Sequence, residues 1–345
     1  MPVPCEMSKP TTGGGTGFSR RGLVAGAAAL AVAGCKRAAP APRAAAFRAF
    51  PAGQPAAILV WAIAPQALLG WPRALKRDQA AFLPPAAAAL PTLGMLTTAG
   101  VNANLEAVAR MRPGLIVDYG NLNEGLEALA KRVRERLGIP YRTIDGRLAA
   151  TPTALREAGA LLGRTDRGEA LARIAADLLG RWTEAARRGG PSFYYGRGPD
   201  GLETALSGAL ATEVLEGAGW HNVVPAGGHA LGRVSLERVV GWDPEAIVTL
   251  DRDFAEEAAG NPIWSKRRSG RTRPILLLPE APFGWIDRPP SLNRLLGCAW
   301  VSGTNPLGPD QRAARAFAER FHAAFYGQGL SPQQAARVTP RILTS

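Results

Sequence analysis

Past an N-terminal stretch, short apolar runs alternate with longer segments whose apolar residues recur every three or four positions. The runs at 57–63, 115–119 and 141–144 in the first half, and 192–195, 246–250 and 275–278 in the second, predict buried strands. Between them the patterns at 122–137 and 202–217 predict helices. Strand, helix, strand at this spacing predicts parallel sheets covered on both faces. One amphipathic segment stands apart. From Leu171 apolar residues fall at Ile174, Ala175, Leu178, Leu179 and Trp182, all on one helical face. Asp166 with Glu169 three positions later predicts a capping box, and Gly189-Gly190-Pro191 a stop. A helix of about 20 residues within 166–188 is about 30 Å long at 1.5 Å per residue, and it lies between two α/β halves. The predicted fold is therefore α/β: two Rossmann-like lobes with parallel sheets, joined by one long helix, with a ligand cleft between the lobes.

The halves also echo each other. Residues 104–117 (NLEAVARMRPGLIV) align without gaps to residues 235–248 (SLERVVGWDPEAIV), at a constant offset of 131, with Leu, Glu, Val, Pro, Ile and Val coinciding. Each copy reads as a short helix, a proline turn and a buried strand. A similar element in each lobe predicts related lobes with a site between them.

The N-terminus changes the picture of where the chain works. Ser19-Arg20-Arg21-Gly22-Leu23-Val24 places two arginines before an apolar run that is too short to span a bilayer but suits a signal-peptide core. The run ends at Val32-Ala33-Gly34-Cys35, which resembles a lipoprotein processing site with Cys35 as the acylated residue, and the arginine pair resembles a twin-arginine export signal. Residues 1–35 are thus expected to be a signal peptide. The Ala/Pro-rich residues 36–54 are expected to be a tether, 55–164 the first lobe, 165–190 the connecting helix and 191–345 the second lobe. With Cys5 removed and Cys35 acylated, Cys298 stands alone, so neither a disulfide nor a cysteine metal site is expected. The formal charge of +13 is spread along the chain without a Lys/Arg block, which argues against a nucleic-acid partner.

At the echoed segments a family is recognisable. "NLEAVARMRPGLIV" and "VSLERVVGWDPEAIV" resemble the corresponding segments of the periplasmic vitamin B12- and iron-siderophore-binding proteins, the ABC-importer binding proteins with a rigid helical backbone. "PFGWIDRPPSLNRLLGCAW" resembles their cleft loop and following helix. Gly114 stands where that family usually has Asp. The resemblance implies a non-enzymatic binding protein that needs no cofactor of its own. It would capture a metal chelate (ferric siderophore, haem or corrinoid) and deliver it to a permease dimer with its ATPase. It also implies that Glu106 and Glu237, one on each lobe, dock onto permease arginines. Two carboxylates suit a symmetric partner through charge-assisted pairs.

Ligand contacts are expected from loops at the carboxyl ends of the strands. In the first lobe these are Trp61, Tyr119 and Asn121, and in the second Tyr195, Arg197, Phe283, Trp285, Asp287 and Arg288. Aromatic rings there would hold a flat chelate, and arginines would pair with its anionic groups. Two other readings stay open. Gly196-Arg197-Gly198-Pro199-Asp200-Gly201 matches a dinucleotide fingerprint, with Glu216 near the position of a ribose carboxylate, which would suit an exported nicotinamide-dependent oxidoreductase. No catalytic acid or base accompanies it. The fold would also serve a ligand sensor without transport. His221, His229 and His322 are too scattered for a triad or a zinc site.

Overall fold

The computed structural model describes residues 47–97, 100–101, 103–227, 231–303, 307 and 311–344. In chain order, strand β1 (Ala49–Pro51) leads into helix α1 (Gln54–Ile63), followed after a long connection by α2 (Leu105–Met111) and β2 (Leu115–Gly120). Then come α3 (Glu124–Leu137), β3 (Tyr141–Asp145), α4 (Thr151–Leu161) and the long α5 (Thr165–Ala186). The second half contributes β4 (Ser192–Gly196), α6 (Glu213–Glu216), β5 (His221–Asn222), α7 (Leu236–Trp242) and β6 (Ala246–Thr249). It finishes with α8 (Arg252–Gly260), β7 (Ile275–Leu277), α9 (Arg294–Val301), α10 (Arg312–Phe321), α11 (Pro332–Arg337) and β8 (Arg341–Leu343).

Three expectations are corrected. The run 57–63 is helix α1, not a strand: every residue from Ala56 to Ile63 is buried, so no polar face reveals a period, and Pro55 in the first turn is the helix signal. The segment 202–217 is not one helix. It forms a short strand (Glu203–Ala205) paired with Leu231–Arg233, and then only the single turn α6, because Gly208 takes φ +84°, a left-handed position that ends a right-handed helix. Strand β1 lies inside the stretch expected to be tether, since its Ala49 and Phe50 are buried and it pairs in parallel with β2.

The two sheets share one plan. The first has order β1-β2-β3 and the second β8-β7-β6-β4-β5, so β4-β6-β7 repeats β1-β2-β3, with the echoed strands β2 and β6 in the middle. All these pairings are parallel except β7 with β8. The echo extends to the backbone. Asn104 caps α2 by accepting from Glu106 N at 2.9 Å, and Ser235 caps α7 by accepting from Arg238 N at 3.4 Å. Both helices end in left-handed residues, Arg112 (φ 47°, ψ 55°) and Asp243 (φ 48°, ψ 54°), before the proline turn.

Alternation along the strands divides the interior. Leu115, Val117 and Tyr119 of β2, Phe193 and Tyr195 of β4, and Val248 of β6 face a core shared by both lobes with α1, α4, α5, α9 and α10. Ile116 of β2 faces a first-lobe core, whereas Tyr194 and Ile247 face a second-lobe core. The connecting helix α5, 22 residues and about 33 Å long, lays its stripe of Leu171, Ala175, Leu178 and Trp182 along the shared core. No side chain caps its N-terminus, so the predicted capping box is absent; Glu169 pairs instead with Arg156 of α4 at 2.6 Å. The two helices touch backbone to backbone: a Cβ on Gly168 would lie 2.6 Å from Leu155 O and 2.9 Å from Gly159 Cα. Arg167 ties α5 to both sequence halves by donating to Ala62 O at 3.1 Å and to Ala324 O. The C-terminal helices return to the first lobe, where Gln334 Nε2 donates to Ala81 O at 2.6 Å and Arg337 lies over the Phe82 ring.

Candidate functional site

The carboxyl ends of β2 and β3 meet at a glycine pair. A Cβ on Gly146 would approach Gly120 Cα to 2.6 Å, so only glycine lets Gly146 N reach Gly120 O at 2.8 Å. The Gly146 carbonyl accepts from Arg294 Nη2 of α9, a cross-lobe bond made by an arginine with no exposed surface. Arg294 Nη1 lies 2.6 Å from Glu213 Oε2 of α6. The same carboxylate accepts from Leu148 N of the first lobe, at 3.0 Å through Oε1 and 3.1 Å through Oε2. A buried arginine and a backbone N–H thus converge on one carboxylate between the lobes. Tyr119, 2% exposed at the end of β2, has Arg294 and Thr151 beside it, yet its hydroxyl meets no partner at hydrogen-bonding geometry. Burial raises its pKa, against the lowering influence of Arg294.

Above this contact lies a cavity of about 200 Å³ with Asn121 and Arg147 on the first-lobe wall and Leu210, Glu213 and Glu216 on the second. Arg147 pairs with Asp145 at 2.6 Å and holds that carboxyl below its ordinary pKa. Glu216 accepts from Ser207 Oγ at 2.6 Å, Thr212 Oγ1 at 2.9 Å and Gly208 N at 3.0 Å, which fixes the loop ahead of α6.

A larger cavity, about 380 Å³, opens at the carboxyl ends of the second-lobe strands and is lined by Asp251, Arg252, Glu280, Arg337 and Arg341 together with Asp78 of the first half. Arg288 forms a bidentate pair with Asp251 and lies 3.7 Å from Glu280, so it braces this wall. Behind it Tyr195 donates to Asp287 Oδ2 at 3.1 Å, and Arg197 sits between Asp287 (2.9 Å) and Glu203 (2.7 Å).

The residues expected to bind ligand therefore separate. Asn121 lines the smaller cavity and Tyr119 lies beneath it. Tyr195, Arg197, Asp287 and Arg288 form an ion network behind the larger one. Trp61, Phe283 and Trp285 line neither of these two cavities and lie in the shared core, 4%, 0% and 0% exposed. The loop around Gly284 folds back so closely that a Cβ there would lie 2.0 Å from Asp287 O, and its aromatic residues turn inward. Phe283 instead meets Trp71 at 6.0 Å, and Trp71 meets Trp61 at 6.2 Å. Sequence reasoning missed Glu213, Arg147 and Arg294. Only Arg294 carried a signal, as a charge at the head of the apolar run LLGCAWV.

The glycine-rich segment does not offer a phosphate cradle. Gly198 N donates to Asp251 Oδ2 at 2.7 Å, so a protein carboxylate fills the position of an anion, and the Phe254 ring occupies the space at Gly196 and Gly201. Glu106 and Glu237 are exposed and occupy the same position in the first turns of α2 and α7. The hydroxyl of Ser235 lowers the pKa of Glu237. His221 is exposed and Cys298 is buried, with its pKa raised by burial. Cys35, the export signal and His229 lie outside the described residues. Among the described residues no His/Cys/Asp/Glu cluster is arranged to hold a metal ion, and no helix is long and apolar enough to cross a membrane.

No family model matches the chain. The molybdate-binding protein MolA of Haemophilus influenzae is 28% identical over 147 residues, which is 41% of this chain and 41% of that protein. An ABC transporter solute-binding protein from Sulfurospirillum deleyianum superposes with a TM-score of 0.75 at 23% identity, over 85% of this chain and 93% of its own. The molybdate-bound structure of H. influenzae MolA gives 0.61 at 18% identity, over 83% and 94%.

Proposed function

We propose, from the premise that this chain has the fold of the class III periplasmic binding proteins of ABC transporters, that it captures a small solute between its lobes outside the cytoplasm. It then hands that solute to a membrane permease. The observation that carries this is the paired architecture. Each lobe ends its parallel strands at a cavity walled in part by residues from the other half of the sequence, and one continuous helix runs along both. Binding sites of open α/β sheets lie at such strand ends.

The solute we favour is a compact anionic metal species, in the size class of the molybdate named for the relative, rather than a haem or corrinoid. The aromatic residues that would stack a macrocycle are buried. The cavities, about 200 and 380 Å³, are small or modest beside the roughly 300–1,000 Å³ that larger ligands occupy. Arg147, Arg252, Arg337 and Arg341 on their walls would pair with the solute's oxygens. Asp78, Asp251, Asp253, Glu280, Glu213 and Glu216 line the same cavities, so the anionic class rests on these individual arginines and on the relative, not on the net charge of the walls. Export by the twin-arginine-like segment and anchoring through Cys35 complete the proposal, with Glu106 and Glu237 as the permease contacts.

Molybdate, used as the probe, separates capture from docking. The Glu106→Ala/Glu237→Ala protein should bind it within about threefold of wild type, since a change under roughly 0.7 kcal/mol is expected for groups off the cavities. Uptake into vesicles bearing the cognate permease should nevertheless fall sharply, because two charge-assisted contacts of about 1.5–3 kcal/mol each are lost. Normal uptake by the double variant would refute the docking role. Vesicles that take up no solute with wild-type protein, whichever metal anion is offered, would refute the importer reading.

A further inference from the structure

We infer that Glu213 is a built-in occupant of an anion seat, and that an oxyanion group of the solute takes its place on binding. The inference rests on the solute-binding reading above and specifies the chemistry of that site. The seat consists of donors: Leu148 N from the first lobe and the Arg294 guanidinium from the second, both aimed at one carboxylate. Arg294 has no exposed surface and is held by the Gly146 carbonyl, so it cannot follow a departing partner. Glu213 can depart. Its side chain is 26% exposed and forms part of the wall of the 200 Å³ cavity.

Tyr119 supplies an independent observation. Its hydroxyl is buried close to Thr151 and Arg294, but neither contact reaches hydrogen-bond geometry, so the phenol is poorly satisfied in a packed interior. A carboxylate has two oxygens, and both are already engaged by Leu148 N and Arg294. A tetrahedral oxyanion has further oxygens, one for the Tyr119 hydroxyl and one facing Arg147 across the cavity. The resident carboxylate therefore satisfies the seat only in part, whereas the solute satisfies it fully. Such an internal competitor keeps the buried Arg294 charge paired in the empty protein and weakens net affinity, which favours release to a permease. It also exchanges one cross-lobe bridge for another, so the lobes stay joined through the substitution.

Titration calorimetry of the full-length protein with molybdate tests this. Glu213→Gln keeps the side-chain shape and removes the competing charge, so it should tighten molybdate binding by about tenfold or more. Tyr119→Phe removes only the hydroxyl and should weaken binding by about threefold or more, with the melting temperature of the empty protein not lowered. If Glu213→Gln binds molybdate no more tightly than wild type, Glu213 is not a competitor. If no variant binds molybdate, the anion seat is wrong. The importer reading is then judged separately by vesicle uptake of the other metal anions.

Discussion

His322 offers a stability test that involves no ligand. The side chain has no exposed surface, neither ring nitrogen has a partner, and its neighbours are aromatic: Phe82 at 6.1 Å, Phe321 at 6.2 Å and Tyr326 at 5.1 Å. Burial lowers its pKa from 6.5 to about 4. Between those values the unfolded chain holds the proton and the folded chain does not. Stability therefore falls as pH drops below about 6.5, and the loss levels off near pH 4. Linkage at about 1.4 kcal/mol per unit gives about 2 kcal/mol lost between pH 7 and pH 5, from this residue alone. His322→Phe deletes that dependence. At neutral pH it also removes an unpaired polar group, a gain of about 1–3 kcal/mol reduced by whatever crowding the larger ring causes. Urea unfolding followed by tryptophan fluorescence at both pH values measures it. Asp118, which burial also perturbs, and the salt-bridged carboxylates titrate in both proteins and cancel in the difference. Equal loss of stability in wild type and His322→Phe between the two pH values would show that the imidazole is not buried neutral.

The same unfolding assay checks two packing claims. Trp285→Ala should cost about 3–5 kcal/mol and Trp285→Phe much less, because the indole is a core group whose N–H meets no partner; a full-stability Trp285→Ala with weakened ligand binding would return Trp285 to the cleft. Gly168→Ala should destabilise by about 1–3 kcal/mol despite alanine's better helix propensity, since its methyl would press on the Leu155 carbonyl; a stabilised variant would mean that α4 and α5 cross less tightly than this contact requires.

Strands and long helices with a clear period were legible. β2, β3, β4, β6 and β7 fall where alternation and apolar runs placed them, and α5 begins and ends within two residues of the periodic segment. Helix α1 was not legible as a helix, because a segment buried all round has no period to read. The echo was the most informative signal, since a helix, a left-handed cap and a proline turn must recur together for two strands to start alike. The site was harder to read. Sequence reasoning can place residues at strand ends but cannot tell which way a loop folds. The Phe283–Arg288 loop puts its rings inward and its ions behind a cavity wall. Glu213 and Leu148 lie 65 residues apart in the sequence and meet only because the fold brings the turn α6 against the loop that follows β3.

The shared core has a thermodynamic consequence. The inner faces of both sheets, from Leu115, Val117 and Tyr119 to Phe193, Tyr195 and Val248, are covered by the same helices. Neither lobe can melt alone without opening the apolar surface on which the other depends, so what looks like two modules unfolds as one cooperative unit. A ligand in either cavity then stabilises the entire chain by mass action, about 2.7 kcal/mol when present at a hundred times its Kd. The whole protein becomes its own reporter, and one melting curve registers a solute whichever cavity receives it.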